Sequence, residues 1–185
     1  MKKYLVFVFG IFCFIIIAIL IHNANVKTDY SNLNTPLVHN FPESFELVID
    51  KINLKAPIIL SNIAEEELFQ KDLQNGIVHY PETALPGEVG NCYLFGHSSD
   101  SVFAKGSYKK VFEKLDKLEK GDIIIISSKN QKYNYQIYSV FVSNDDNLSV
   151  LSQNTSGKSL LTLQTSYPVG SAKKRYIIKA ELQRN

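Results

Sequence analysis

The sequence predicts a mostly β domain, a closed antiparallel barrel of about eight strands with one or two short helices, preceded by one transmembrane helix. Many short β-branched segments alternate with Gly and Pro turn signals, and no strand-helix-strand rhythm recurs. A single long uncharged run opens the chain. We therefore expect a cytoplasmic tip and membrane anchor at 1–22, a linker at 23–43 and a barrel domain at 44–185.

The predicted anchor begins after Lys2 and Lys3, which precede an uncharged run from Tyr4 to Ile21. At 1.5 Å per residue this run would span about 27 Å as a helix, close to the hydrocarbon thickness of a bilayer. The positive flank predicts a cytoplasmic N-terminus and an extracytoplasmic domain. A cleaved signal peptide is the alternative, but the run exceeds about 15 residues and no small-x-small cleavage site follows it.

The charge balance argues against nucleic acid as a partner. The chain has 20 basic and 18 acidic residues, so without Lys2 and Lys3 the exported part carries 18 of each and no formal net charge. Two cysteines, Cys13 in the apolar run and Cys92 in a predicted strand, make an internal disulfide a poor expectation. The domain must be stabilised by its core.

The linker at 23–43 is rich in Asn, Thr and Ser and has no sustained hydrophobic period. Strands are predicted at 45–50 and 52–60, which are rich in β-branched residues, and a short helix at 64–73 with acids in its first turn. An extended piece and a Pro- and Gly-rich loop follow.

The next strand is predicted at Cys92–Phe95, and Gly96 and His97 stand where it gives way to a polar loop. Beyond it we expect a helical turn, a strand starting at Gly121, and a further strand or bent pair of strands at 131–142. A polar connection at 144–159 leads into the last segment.

That segment, residues 160–183, is predicted to be a hairpin. Its alternation gives an apolar face and a polar face, and Pro168 and Gly170 mark the turn. If the loop runs from Tyr167 to Lys174, Ser166 and Arg175 are the closing pair on the polar face. Directly opposed residues have Cβ atoms about 5 Å apart, so a hydroxyl would lie beside a guanidinium at the edge of the sheet.

TLQTSYPVG followed by Arg175 resembles the active-site hairpin of sortases, whose pattern is T-L-x-T-C, a Pro and Gly in the loop, then an arginine. HYPETALPGEVGN leading into FGHSS resembles the segment that carries the sortase catalytic histidine. We therefore expect a sortase of the housekeeping, class D or class E type. The resemblance implies His97 as acid and base, Arg175 as the oxyanion or carbonyl donor, and no cofactor or metal. Ser166 stands where the family has its cysteine nucleophile.

Other candidates have weaker positions. Cys92 could substitute as a nucleophile, but it lies five residues before His97, so on a regular strand the two point to opposite faces, about 16 Å apart along the chain. His79, in an extended segment, is expected to be structural, and His22 and His39 to be solvated. The acids that could orient His97 are Asp100, Asp145 and Asp146.

The resemblance implies a membrane-anchored transpeptidase that cleaves an LPxTG-like sorting signal of exported proteins and transfers the acyl group to a surface amine, on a peptidoglycan precursor or a pilin lysine. Three interpretations of Ser166 stay open: a cysteine-to-serine replacement made to trap substrate, a natural serine variant, or a peptide-binding domain without catalysis. An unrelated serine hydrolase would need a G-x-S-x-G elbow, which the sequence around Ser166 lacks.

Overall fold

The computed structural model describes residues 44–99, 105–171 and 173–183. Eight strands in this part of the chain close into one barrel in the order β1-β2-β3-β4-β7-β8-β6-β5. The strands are β1 (Phe45–Ile49), β2 (Leu54–Leu60), β3 (Ile77–His79), β4 (Gly90–Phe95), β5 (Ile123–Ser127), β6 (Lys132–Asn144), β7 (Ser159–Tyr167) and β8 (Lys174–Leu182). One α-helix, α1 (Glu66–Asp72), joins β2 to β3.

The prediction of a closed, eight-stranded barrel is confirmed, but the prediction that it is antiparallel throughout is wrong. β2 pairs with β3 in parallel, and β4 pairs with β7 in parallel. Parallel neighbours need a long crossover connection. Helix α1 supplies one, and the β5–β6 hairpin with its flanking segments supplies the other.

Most predicted elements are present with shifted ends. The first two strands are separated by a 3₁₀ turn at Asp50–Ile52 and by Asn53, whose φ is 51°. The helical turn expected before β5 is a 3₁₀ turn at Leu115–Lys117. Of the two alternatives expected for 131–142, the structure has one continuous strand, β6, with a register shift between Ile137 and Ser139.

The barrel interior is filled by the inward-facing residues of all eight strands. Tyr135 is fully buried, and its hydroxyl accepts a hydrogen bond of 2.7 Å from the Gly87 amide, so the one polar atom of this ring has a partner. The other large, fully buried side chains include Leu47, Ile49, Ile77, Leu94, Phe112, Ile124, Ile126, Ile137, Leu161 and Leu163.

The face of the hairpin predicted to be polar is partly buried. Thr162 is 1% exposed and Ile177 is fully buried, because the connection between β6 and β7 folds back over the outside of the sheet. Val150, in a 3₁₀ turn at Leu148–Leu151 of that connection, packs with Tyr93 and Ile177 in a second apolar cluster. Alternation alone does not show which side of a strand another segment covers.

The predicted anchor at 1–22 and linker at 23–43 lie outside the described residues. Within the described ranges, none of the helices has the length and apolar character needed to span a bilayer.

Candidate active site

Ser166 and Arg175 oppose each other directly across the β7–β8 ladder, as the hairpin pattern predicts. The ladder continues by one pair, Tyr167 with Lys174, so the connecting loop is 168–173 and is shorter than expected. Both side chains are half-buried and lie on the outer face of the barrel. Their Cβ atoms are therefore about 5 Å apart at the edge of the sheet.

His97 approaches this pair through the parallel pairing of β4 with β7. The last paired residues are Phe95 and Gln164, and the next amide, that of Gly96, donates to the Gln164 carbonyl at 3.2 Å. His97 and Ser166 each lie two residues beyond that pair. The two strands therefore bring both residues to the same rim, on the same face.

A side chain ties the two strand ends together at this point. The Thr165 hydroxyl, 5% exposed as a residue, donates to the Gly96 carbonyl at 2.8 Å. Thr165 directly precedes Ser166, and Gly96 directly precedes His97. The hydrogen bond thus fixes the peptide units from which the two candidate catalytic side chains project.

The backbone of His97 has a second attachment. The Phe112 amide donates to the His97 carbonyl at 2.9 Å, and the Phe112 ring is buried in the core. A Cβ atom at position 96 would lie 2.9 Å from both the Phe112 ring and the Val111 side chain. Glycine before His97 is therefore required by the close approach of this segment.

Arg175 lies in a row of four outward-facing residues. It pairs with Ser166 on one side and with Ser143 of β6 on the other, and His97 continues the row beyond Ser166.

The Arg175 Nη1 donates to the Lys174 carbonyl at 3.2 Å. Burial raises the pKa of Tyr93, and the nearby positive charge of Arg175 partly opposes that shift. The guanidinium therefore acts electrostatically over the outer face of the sheet.

The neighbouring row of outward-facing residues, one level further from the rim of the barrel, is mostly apolar. Phe95, Gln164, Ile177 and Phe141 occupy successive strands at one level, directly below the row that contains Ser166 and Arg175. Val150 covers Ile177, so a peptide at this rim would meet the half-buried Phe95 and Phe141 rings beside one serine hydroxyl, one guanidinium and one imidazole. That combination suits the covalent handling of a peptide carbonyl.

The Sortase domain family model matches residues 47–183. The chain belongs to the sortase family. It is 32% identical over 135 residues to Sortase D of Bacillus subtilis strain 168, a match that covers 71% of this chain and 60% of that protein. It is 30% identical over 135 residues to Sortase SrtE2 of Streptomyces coelicolor, covering 66% of this chain and 51% of that protein. The chain thus spans between half and two thirds of the length of these two relatives.

Solved sortase structures have the same fold. A Clostridium perfringens Sortase D5 transpeptidase superposes with a TM-score of 0.62 at 31% identity, covering 77% of this chain and 79% of that one. Sortase C-1 of Actinomyces oris superposes with a TM-score of 0.63 at 26% identity, covering 76% and 74%. The barrel with its β7–β8 hairpin is therefore a sortase barrel.

The other candidate residues lie in different surroundings. Cys92 faces the interior, is 1% exposed, and burial raises the pKa of its thiol, so it is a buried structural cysteine. His79 is buried, with Nε2 3.0 Å from both the Ala84 carbonyl oxygen and the Thr83 Oγ1. Asp145 and Asp146 are exposed in the turn after β6.

Asp100 lies outside the described residues, as do His22 and His39. In the described ranges, no group of three His, Cys, Asp or Glu side chains is arranged to hold a metal ion.

Two features of the candidate site could not be predicted from the sequence. The first is the Thr165–Gly96 bond, which joins the residues that precede Ser166 and His97. The second is Ser99, whose hydroxyl accepts a 2.9 Å hydrogen bond from the Gly170 amide in the β7–β8 loop. Both bonds join positions about 70 residues apart (165 − 96 = 69 and 170 − 99 = 71), and no local pattern signals such a contact.

Proposed function

We propose that this chain is a membrane-anchored sortase-type transpeptidase that cleaves an LPxTG-like sorting signal and transfers the acyl group to a surface amine. The observation that carries the proposal is the direct opposition of Ser166 and Arg175, with His97 at the end of the adjacent parallel strand. A relative of the same fold, from Clostridium perfringens, is named a transpeptidase.

The first half of the proposed reaction forms an acyl-enzyme. His97 accepts the proton of the Ser166 hydroxyl as the Ser166 oxygen attacks the carbonyl carbon of the substrate. Arg175 donates hydrogen bonds to the oxyanion of the tetrahedral intermediate. The C–N bond then breaks, His97 returns a proton to the leaving amine, and the acyl group remains as an ester of Ser166.

The second half reverses these roles. A surface amine attacks the ester carbonyl, His97 takes the proton from the attacking nitrogen, and Arg175 again stabilises the oxyanion. The C–O bond to Ser166 breaks, the Ser166 oxygen regains a proton, and an amide product leaves. No oxidant, reductant or cofactor is needed to balance either half.

Serine at position 166 makes the first half harder. A cysteine is a few per cent thiolate at neutral pH even without perturbation, whereas a hydroxyl needs a base in direct contact. A second candidate function therefore has a specific observation in its favour: because the group at position 166 is a hydroxyl and not a thiol, the same site would bind a sorting-signal peptide without cleaving it.

The proposed partners follow from this activity: exported proteins with C-terminal sorting signals, and an amine on a peptidoglycan precursor or a pilin lysine. The proposed location is the cell membrane, with one pass and an extracytoplasmic domain, on the grounds of Lys2, Lys3 and the uncharged run that follows. Fractionation and external proteolysis of intact cells test this location. Recovery of a soluble protein that begins near Asn23 would overturn it.

Restoring the family's nucleophile tests the activity. The Ser166→Cys chain is incubated with an LPxTG-like peptide, and mass spectrometry detects the thioester on residue 166. A second variant that also carries Cys92→Ala controls for the buried thiol, and one that also carries His97→Ala should not react. No thioester in the Ser166→Cys chain contradicts the transpeptidase proposal.

The unsubstituted chain then separates the two candidate functions. An oxyester on Ser166, followed by transfer to an added amine, supports a serine-dependent transpeptidase. Saturable binding of the same peptide without any covalent product supports the binding domain.

A further inference from the structure

Two loops meet at the rim of the barrel beside the candidate catalytic residues. One is the segment after β4, which contains His97 and Ser99, and the other is the β7–β8 loop, which begins two residues after Ser166. If either loop moved relative to the other, the distance between the imidazole and the nucleophile would change. Contacts between these loops therefore bear directly on the reacting geometry.

The β7–β8 loop contains a turn whose Gly170 amide bonds to a residue outside the loop. The Ser171 amide donates to the Pro168 carbonyl at 2.9 Å, and Gly170 has φ +82°, as the third residue of such a turn requires. The Gly170 amide in turn donates to the Ser99 Oγ at 2.9 Å. The loop that follows the nucleophile is thus held by a side chain that lies two residues after His97.

This bond and the Thr165–Gly96 bond enclose the candidate catalytic pair. Thr165 bonds to Gly96 on the strand side of Ser166 and His97, and Ser99 bonds to Gly170 on the loop side. Each bond joins the β4 segment to the β7–β8 hairpin. Without the Ser99–Gly170 bond, the Thr165–Gly96 bond alone would leave the loop side free to move.

We propose that Ser99 is a positioning residue for the acyl-transfer reaction, and that its hydroxyl holds the β7–β8 loop so that residue 166 stays within reach of His97. The inference rests on the proposed transpeptidase function. Ser99 does not touch the reacting atoms in this proposal; it acts through the Gly170 amide. Its loss should therefore lower the rate of chemistry more than the affinity for the peptide.

The adjacent serine offers a matched control. Ser98 is 1% exposed, and in the described part of the chain its hydroxyl has no hydrogen-bond partner. Ser98→Ala and Ser99→Ala remove the same atom from neighbouring residues, but only the second removes a bond to the β7–β8 loop. A nonspecific disturbance of the His97 segment would affect the two variants alike.

The first measurement is made on the unsubstituted chain and does not depend on activity. Amide hydrogen exchange followed by NMR should show that the Gly170 amide is protected, and that Ser99→Ala speeds its exchange by about tenfold. Ser98→Ala should leave the rate unchanged, and Ser99→Thr should retain the protection because it keeps a hydroxyl. Exchange of Gly170 at the rate of a free peptide in the unsubstituted chain, or unchanged exchange in Ser99→Ala, would overturn the role of Ser99.

The second measurement uses the Ser166→Cys chain with an LPxTG-like peptide. Ser99→Ala in that background should lower kcat by about tenfold and change KM by less than about twofold, because a small misplacement costs rate rather than binding. Ser98→Ala should react like its parent, and Ser99→Thr should recover most of the rate. Equal rates for Ser99→Ala and its parent, or equal losses in both alanine variants, contradict the positioning role.

Failure of the proposed function gives a different result. If the Ser166→Cys parent forms no thioester at all, the transpeptidase proposal fails, and the catalytic part of this inference fails with it. The exchange measurement still decides whether Ser99 holds the loop.

Discussion

The Thr165 hydroxyl joins the residue before Ser166 to the residue before His97, by a 2.8 Å hydrogen bond to the Gly96 carbonyl. Thr165→Val keeps the side-chain shape but leaves this carbonyl without its donor in a nearly buried site. We expect the free energy of unfolding to fall by about 1–3 kcal/mol, the usual cost of an unsatisfied buried group. Urea denaturation measures this change.

Thr165→Ser is the matched control, since it keeps the hydroxyl and loses only a methyl group. In the Ser166→Cys background, Thr165→Val should also form acyl-enzyme more slowly than Thr165→Ser. A Thr165→Val chain as stable and as fast as its Ser counterpart would show that the bond to Gly96 carries neither role.

Arg175 should matter to the chemistry more than to folding. The inward residues of its strand, such as Ile178 and Ala180, supply the packing, whereas Arg175 is half-buried on the outer face. In the Ser166→Cys background, Arg175→Ala should melt close to its parent. Its acylation should be slower by about a hundredfold, which corresponds to the loss of one oxyanion donor of about 3 kcal/mol.

Arg175→Lys is informative beside it, because lysine keeps the charge but not the planar donor pair. We expect a rate between those of the parent and the alanine variant. An Arg175→Ala chain that unfolds, or one that acylates at the parental rate, contradicts the assignment of Arg175 to the oxyanion.

Much of the site could be predicted because it is built from one local hairpin. The period of two and the Pro and Gly turn signals give a direct ladder, and the opposition of Ser166 and Arg175 follows from counting residues. The ladder is one pair longer than the turn signals predict, since Tyr167 and Lys174 also belong to it. Strand ends depend on the last hydrogen bond, which no residue type marks.

The parts that could not be predicted all depend on nonlocal contacts. β4 pairs in parallel with β7, although β5 and β6 lie between them in the chain. No local pattern in the sequence predicts which strand ends become neighbours. Ile177 has the position of a solvent-facing residue, yet Val150 from the β6–β7 connection covers it. The Ser99–Gly170 bond likewise depends on two loops that meet only in the closed barrel.

His79 should make folding sensitive to mild acid. Its Nε2 faces the Ala84 carbonyl at 3.0 Å, and a carbonyl only accepts, so Nε2 carries the proton of the neutral ring. Burial lowers the pKa of His79, although the bond to Ala84 opposes this shift. The unfolded chain therefore takes up a proton near the ordinary histidine pKa of about 6.5 while the folded chain stays neutral.

The sign of the effect follows from this difference. The contribution of His79 to stability is complete above about pH 6.5 and declines as the pH falls toward the lowered pKa of the folded state, by at most about 1.4 kcal/mol per pH unit. His79→Gln keeps an amide donor and does not titrate. Urea midpoints at pH 7.5 and 5.5 should therefore separate more in the unsubstituted chain than in His79→Gln, and equal separations would contradict this account.

Asn147 organises the connection that covers the outer face beside Arg175. Its side-chain oxygen accepts from the Ser149 amide at 3.1 Å and from the Ser149 hydroxyl at 2.6 Å, which caps the turn that carries Val150. Its side-chain nitrogen donates to the Ser143 hydroxyl at 2.7 Å, and Ser143 is the residue that pairs with Arg175 on β6. One amide therefore links the covering turn to the strand beside the site.

Asn147→Ala removes both links, and we expect the free energy of unfolding to fall by about 1 kcal/mol, the usual cost of losing a cap. Asn147→Asp keeps the acceptor for Ser149 but loses the donor to Ser143, so its loss should be smaller than that of the alanine variant. Asn154→Ala, at an exposed position of the same connection, is the control and should stay within about 0.5 kcal/mol of the parent. Urea denaturation of the three variants gives the order, and an Asn147→Ala chain as stable as Asn154→Ala would show that the turn is held by the packing of Val150 alone.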